Sequence, residues 1–235
     1  MSVRLPLLAR RLHKWLGLIL GVQLLIWMAS GLYMTAIHID VIHGDRFIRE
    51  AEPAPLPAAR LADPLAAAAG VPRAESVRLG RVLERPVYIV GSGQGSFLID
   101  AVSGTRLARP DEREIRRIAD YWYTGEEKLE TLTLIEELPG EIRGRKPPLW
   151  RADFGGWNKP TLYISPETGE LVTRRHELWR VFDFFWMLHI MDYDERDNVN
   201  NTLLRMATVA ATVMVLAGMW LLFYTLPFRR RRRRP

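Results

Sequence analysis

Residues 15–39 read WLGLILGVQLLIWMASGLYMTAIHI, and residues 206–228 read MATVAATVMVLAGMWLLFYTLPF; neither stretch contains a formally charged residue. A helix needs about 20 apolar residues, each rising about 1.5 Å, to cross the hydrocarbon layer of a bilayer. Both stretches are long enough, and neither shows the polar stripe that a helix in a soluble core normally carries. We therefore predict two membrane-spanning helices that flank a polar domain.

Basic residues flank both predicted spans. Arg4, Arg10, Arg11 and Lys14 precede the first span, and the arginines at 229–234 follow the second. Cationic flanks stay on the cytoplasmic side, so we expect both termini to be cytoplasmic and the middle of the chain to lie outside. These ten cations exceed the net charge of +6, so the remainder of the chain is acidic. The positive charge therefore indicates topology and contact with membrane lipids, and no nucleic-acid partner is expected.

The absence of cysteine excludes a disulfide framework, a thiolate metal site and a cysteine nucleophile. The first apolar stretch is longer than the hydrophobic region of a cleavable signal peptide, which favours an anchor. We expect a bacterial inner membrane with a periplasmic central domain.

The stretch between the spans alternates in the way that strands do. The segments 75–83, 85–91 and 96–101 are predicted strands, and GSGQG (91–95) is a hairpin turn, because it lacks the Lys-Ser/Thr ending of a phosphate loop. A helix over 111–122 follows, and a second group of strands comes after it. The segments FLIDAVSG (97–104) and YISPETG (163–169) both end in a turn glycine. This suggests a helix-plus-antiparallel-sheet unit that occurs twice.

The fold class is thus an α+β membrane protein, in which two transmembrane helices flank an extracytoplasmic domain of two degenerate repeats. The segment HELWRVFDFFWMLHIMD (176–192) is strongly aromatic, which is typical of a helix at the membrane interface. The predicted divisions are 1–14 (cytoplasmic basic N-terminus), 15–39 (first transmembrane helix), 40–110 and 111–175 (the two periplasmic repeats), 176–192 (interfacial aromatic helix), 206–228 (second transmembrane helix) and 229–235 (cytoplasmic arginine tail).

Several of these stretches resemble a known family. RRLHKWLGLILG in the first span, FLIDAVSG, LYISPETGELV and WMLHIMDYDERDNVNNTLLR are similar to segments of the PepSY-associated transmembrane proteins. The resemblance covers nearly the whole chain. It implies that the two repeats are PepSY-like, and that the outer domain inhibits peptidases or senses a partner. Larger members with four spans are haem-containing reductases that free iron from siderophores. By the resemblance, His13 and His189 fall on positions where those members carry membrane histidines.

The five histidines fit haem chemistry only in part. Imidazole is the usual axial ligand of b-type haem, so His13, His38, His43 and His189 are candidate cofactor ligands. His38, His43 and His189 are expected at similar membrane depth, whereas His13 lies about 37 Å of helix away from His38. A haem at His13 would therefore require a second copy and a four-helix homodimer. The pairs Gly17-x3-Gly21 and Ala207-x3-Ala211 would allow close helix approach.

Structural interpretations of these histidines stay open beside ligation. His13 can contact headgroups, His38 and His43 can be loop residues, and His189 can hold a structural hydrogen bond. The sequence shows no assembled hydrolytic site.

Two functions remain open. One is haem-b electron transfer across the membrane, in support of periplasmic ferric-siderophore reduction by a ferric reductase component. The other is a non-enzymatic anchored module that binds, senses or inhibits a periplasmic protein such as a peptidase.

Overall fold

The computed structural model describes residues 5–50 and 61–225 of the 235. Most of the predicted linker, the arginine tail and the last residues of the second predicted span lie outside these ranges. The helices are α1 (Leu5–Ala36), α2 (Ile39–His43), α3 (Pro64–Ala69), α4 (Glu112–Trp122), α5 (Glu177–Ile190) and α6 (Thr202–Thr225). The strands are β1 (Ala74–Val82), β2 (Arg85–Ser92), β3 (Gly95–Asp100), β4 (Leu129–Ile135), β5 (Leu149–Phe154), β6 (Thr161–Ile164) and β7 (Leu171–Arg175).

The chain divides into two compact units. The residues up to Ile37 and those from Phe182 onward form one unit, which we call the helical unit. His38–Val181 form the other, which we call the sheet unit. Helix α5 begins in the sheet unit and ends in the helical unit.

The helical unit is built on the packing of α1 against α6. Leu7–Ala36 and Thr202–Phe223 are long and apolar enough to cross a membrane. Helix α1 ends three residues before the predicted end of the span, because His38 adopts an extended conformation and caps α2. Helix α6 begins four residues before the predicted span, because the Asn201 side chain accepts from the Leu204 N–H at 2.8 Å.

The small residues of α1 and α6 differ in whether they contribute to the contact between these two helices. A Cβ at Gly17 would lie 3.7 Å from the Met214 Sδ atom, so α6 reaches α1 there. A Cβ at Gly21 would meet nothing within 4 Å. Ala207 and Met214 are buried, whereas the described apolar residues on the other sides of α1 and α6 are largely exposed. Only the first glycine of the Gly17-x3-Gly21 pair therefore contributes to the contact between α1 and α6.

Two antiparallel sheets form the sheet unit, each with a helix before it in the chain. The first has the order β1-β2-β3 and the second β4-β5-β6-β7. Helix α3 buries Ala67 and Ala68 in a cluster with β2 and β3, and α4 buries Ile115 and Ile118 against the second sheet. Helix α4 begins at an Asp111 cap, whose side chain accepts from the Glu114 N–H. The mixed helix and antiparallel-sheet architecture predicted from the sequence is confirmed, and the two-residue turn between β2 and β3 falls where GSGQG predicts it.

The same turn closes β3 and β6. Gly104 and Gly169 have φ values of 70° and 69°, and each donates its N–H to the carbonyl four residues earlier. That earlier residue is Asp100 in the first sheet and Ser165 in the second, and its side chain accepts from two N–H groups inside the turn. A left-handed conformation of this kind favours glycine. The two turns are therefore alike in conformation as well as in sequence; that the two units are degenerate PepSY-like repeats stays a prediction.

Candidate cofactor site in the helical unit

His13 lies on α1 and contacts α6 through its ring. The Nδ1 atom is 2.9 Å from the Met214 carbonyl oxygen. A carbonyl oxygen only accepts, so Nδ1 carries the proton and donates this hydrogen bond. In the neutral imidazole the other nitrogen, Nε2, then has a free lone pair. His13 is thus held in the tautomer that presents Nε2 to a metal.

The close approach of His13 depends on Gly218. A Cβ added to Gly218 would lie 2.8 Å from the His13 Cε1 atom and 3.0 Å from Nδ1. Real Cβ atoms essentially never come that close to another heavy atom, so the ring occupies space that only glycine leaves open. Gly218 follows Met214 by four residues and therefore lies one helical turn beyond the accepting carbonyl.

His189 has a corresponding arrangement on α5. Its Nδ1 atom lies 2.8 Å from the Ser30 Oγ atom, and Ser30 is completely buried. The Ser30 hydroxyl has one proton, and Oγ lies 2.7 Å from the Ile26 carbonyl oxygen. Two oxygens at that distance need a proton between them, so the hydroxyl donates to Ile26 and accepts from His189. In the neutral imidazole of His189 the free lone pair is therefore also on Nε2.

The end of α5 that carries His189 is fastened by three side chains. The last carbonyls of a helix have no partner within it. Gln23 donates to the Leu188 oxygen at 3.2 Å, Trp27 to the His189 oxygen at 2.8 Å and Asn201 to the Ile190 oxygen at 2.8 Å. An apolar layer offers no water to such groups, so side chains must satisfy them there. These bonds fix the helix end, and with it the position of His189.

The two histidines stand at different levels of α1. His13 is on α1 itself, and His189 bonds to Ser30, which is 17 residues later. At a rise of about 1.5 Å per residue the two levels are about 26 Å apart. A single haem iron binds its two axial ligands on opposite faces of one ring, so His13 and His189 of one chain cannot ligate the same haem. His13 and His189 therefore belong to two separate levels of the helical unit.

A family model described as the PepSY-associated TM region matches residues 10–235. The chain belongs to this family. The resemblance predicted from the sequence is therefore confirmed, and with it the membrane character of the chain that its two apolar helices indicate. No curated protein and no solved structure matches the chain.

The histidines of this PepSY-associated chain fit a haem in their chemistry. Neutral imidazole with Nε2 unprotonated is the donor of b-type haem, and a hydrogen bond from Nδ1 to a fixed acceptor is the usual support of such a ligand. The Nδ1 hydrogen bond occurs at His13 and at His189, and in the neutral form of each ring it leaves Nε2 as the donor atom. A bis-histidine site at the level of His13 would need His13 of a second copy. At the level of His189 the second ring would come from a second copy or from the candidate ligands His38 and His43.

His38 and His43 lie in the sheet unit at opposite ends of α2. His38 is the N-cap, its side chain is 73% exposed, and its Nδ1 atom is 3.2 Å from an Asp40 carboxylate oxygen. His43 is exposed, and its carbonyl accepts from Arg174 at 2.8 Å. Among the residues that the structure describes, no three histidine, aspartate or glutamate side chains cluster as a metal site would require. Ligation by His38 and His43 stays a prediction.

His176, the fifth histidine, is buried in the sheet unit. It is 2% exposed, its ring packs edge-on against Phe47 at 5.6 Å, and its Nδ1 atom accepts from the Trp179 N–H at 3.4 Å. A Cβ at Gly44 would lie 2.8 Å from the ring. Burial lowers the pKa of His176 to about 4, and Arg180, Arg46 and Arg174 act in the same direction. This ring has a structural role.

A polar cleft of about 660 Å³ opens in the sheet unit beside β5, β6 and the start of α5. Glu141 lines it and accepts from Arg180 at 2.7 Å and from the completely buried Tyr163 at 2.6 Å. Burial raises the pKa of Glu141, but the hydrogen bonds from Arg180 and Tyr163 outweigh it and leave that pKa below its usual value. Burial and the same carboxylate raise the pKa of Tyr163. The side chains of Glu141, Arg180 and Tyr163 thus provide hydrogen-bond partners for one another.

The sequence pointed to both membrane histidines and to none of the groups that hold them. Ser30, Gly218 and the Met214 carbonyl each contact a histidine more than 150 residues away in the chain. Gln23 was a detectable signal, because a polar amide in an apolar span usually has a partner within the protein. Gly218 and the Met214 carbonyl gave no such signal.

Proposed function

We propose that this chain is a haem-b protein that passes electrons across a bacterial inner membrane, in support of ferric-siderophore reduction in the periplasm. The single observation that carries the proposal is that His13 and His189 make the same kind of hydrogen bond. Each ring donates from Nδ1 to a fixed oxygen, which in the neutral imidazole leaves Nε2 as a free donor atom; His13 lies on the apolar helix α1, and His189 on α5 contacts that helix. Two histidines with the same hydrogen-bonding pattern, at two levels of the helical unit, would each hold one redox centre.

The functional form in this proposal is a homodimer. A second copy in the same orientation would bring its own His13 and His189 to the same two levels. The four long helices α1 and α6 of the two copies would then enclose one haem between the His13 rings and another between the His189 rings. Haem supplies the reversible one-electron chemistry; the chain supplies the ligands, their tautomers and the exclusion of water.

The direction of electron flow follows from the proposed topology. Arg10, Arg11 and Lys14 stand close to His13 and favour the cytoplasmic side. His13 would then be the cytoplasmic centre and His189 the periplasmic one. The electron would come from a cytoplasmic reductant and would reduce Fe(III) to Fe(II) on the other side.

The sheet unit favours a second candidate function. The matching turns at Gly104 and Gly169 support two PepSY-like repeats, and the cleft around Glu141 is a concave polar surface. A module that binds or inhibits a periplasmic protein, with α1 and α6 as anchors, would use these features and need no haem.

A visible spectrum of the detergent-purified protein before and after dithionite separates the two functions. Protein from haem-replete cells should show the sharp bands of reduced haem b. His13→Gln and His189→Gln should each remove about half of the haem per chain, because each variant disables one level. His38→Gln and His43→Gln, on the exposed ends of α2, test the two other candidate ligands, and full haem content in both variants would exclude them. Colourless wild-type protein would refute the haem function and leave the binding module.

A further inference from the structure

Helices α1 and α6 interlock around His13 through two side chains and two glycines. In α1, His13 and Gly17 are four residues apart, and in α6 so are Met214 and Gly218. The His13 ring fills the space above Gly218, and the Met214 side chain lies above Gly17. Each helix thus inserts one side chain over the glycine of the other.

The hydrogen bond of His13 belongs to the same contact. Its Nδ1 atom donates to the carbonyl of Met214, the residue whose side chain lies over Gly17. A ring can reach the backbone carbonyl of a neighbouring helix only where no side chain stands between them. The missing Cβ of Gly218, one turn further on, leaves that space open.

We propose that Gly218 is a positioning residue for His13. The space that Gly218 leaves open lets the His13 ring donate to the Met214 carbonyl, and this bond fixes the ring as the Nδ1–H tautomer. We call this placement of the ring its seating. The consequence for haem binding rests on the function proposed above; the seating of the ring does not. A Cβ at position 218 would lie 2.8 Å from Cε1. The ring is the far end of a side chain, so it would swing away and lose its acceptor while the helices stay together.

Gly218→Ala is the test, and Gly21→Ala is its matched control. Both replace a glycine in a long apolar helix by alanine, and a Cβ at Gly21 meets nothing within 4 Å. The first measurement is the nitrogen-15 spectrum of the histidine rings in the purified full chain, with the His13 signals assigned by their absence in His13→Gln. Wild type and Gly21→Ala should show the Nδ1–H tautomer at His13, and Gly218→Ala should lose it.

The second measurement is haem content and the optical spectrum. Loss of a group that orients a metal-ligating histidine typically weakens metal binding about 10- to 100-fold. Gly218→Ala should therefore lose the His13 haem, which is about half of the haem per chain, and keep the His189 haem.

The outcomes separate the two proposals. Haem-free wild type whose His13 tautomer still depends on Gly218 would refute the haem function and support the seating. Ring-nitrogen spectra that are the same in Gly218→Ala and Gly21→Ala would overturn the seating, whatever the haem content.

If Gly218→Ala does not fold, a double variant decides. Removing the ring removes the clash, so His13→Ala with Gly218→Ala should restore the folded yield to that of His13→Ala alone. Failure of the double variant to fold would show that Gly218 serves another contact, and would overturn the inference.

Discussion

Ser30 of α1 and His189 of α5 lie 2.8 Å apart, Oγ to Nδ1, although 159 residues separate them in the chain. The serine hydroxyl already donates to its own helix at Ile26, so it can only accept from the histidine. The Ser30 hydroxyl therefore donates one hydrogen bond within α1. By accepting a second one, it selects the tautomer of the His189 ring on α5.

Ser30→Ala should release this control over His189. The variant leaves the Nδ1–H group without its acceptor, so the ring can rotate or change tautomer. We expect about 10- to 100-fold weaker binding at the His189 haem, measured by haem titration and by the optical spectrum. Thr35→Ala is the control, because that exposed hydroxyl bonds only to carbonyls of α1 itself. Equal haem affinity in the two variants would contradict the role of Ser30.

Trp27→Phe should destabilise the end of α5. The variant keeps an aromatic ring but removes the N–H that donates to the His189 carbonyl at 2.8 Å. A carbonyl left without a partner costs about 1–3 kcal/mol, which should lower the melting temperature in detergent. Trp15→Phe replaces a tryptophan that is 57% exposed and should leave the melting temperature nearly unchanged. A Trp27→Phe variant as stable as Trp15→Phe would show that another donor replaces the indole.

Arg180→Met should destabilise the sheet unit. Arg180 donates to both oxygens of Glu141, and the two side chains are only 26% and 15% exposed. Removing one partner of a largely buried ion pair costs about 3–5 kcal/mol, because the remaining charge loses its compensation. Arg116→Met is the control, since that arginine is 46% exposed and lies 3.8 Å from Glu112; its loss should cost less than about 1 kcal/mol. Urea unfolding followed by circular dichroism measures both, and similar costs would refute a central role for the pair.

The stability of the sheet unit should fall in mild acid because of His176. Its pKa is about 4 in the folded chain and about 6.5 when unfolded, so between these values the unfolded chain binds more protons. The contribution of His176 to the free energy of unfolding should thus be fully present above about pH 6.5. It should be lost progressively, by about 3 kcal/mol, as the pH falls to 4.

His176→Asn tests this origin of the acid sensitivity. Asparagine can still accept from the Trp179 N–H, which His176 does in the structure, and it does not titrate. The variant should be less stable near pH 7, where it loses ring packing, and should show a flatter profile between pH 4 and pH 6.5. An unchanged slope would assign the acid effect to another group.

The order of helices and strands was readable from the sequence because it depends on local patterns. The uncharged stretches predicted the two long helices, and alternation and turn residues predicted strands β1 to β6; β7 was not predicted. The turn glycines 104 and 169 indicated a pair of matching turns, which the structure contains. Such features depend on neighbours in the chain, so a single sequence contains them.

The groups that hold the two histidines in place could not be predicted from local sequence patterns. Whether Ser30 faces His189, or Gly218 faces His13, depends on how the helices are rotated about their axes and how deeply they are inserted. Hydropathy reports neither quantity. The Gly17-x3-Gly21 pair shows the difficulty, because its spacing suggests one packing surface and only Gly17 contacts α6.

Helix α5 stops beside α1, with its last carbonyls occupied by Gln23, Trp27 and Asn201, and this makes the helical unit uneven along its length. Among the residues that the structure describes, the His13 ring contacts α1 and α6, whereas His189 lies on a third helix, α5, and contacts α1. The position of the His13 ring thus depends on α1 and α6, and that of the His189 ring depends on α5 as well. A substitution that loosens α5 should therefore disturb His189 and leave His13 in place.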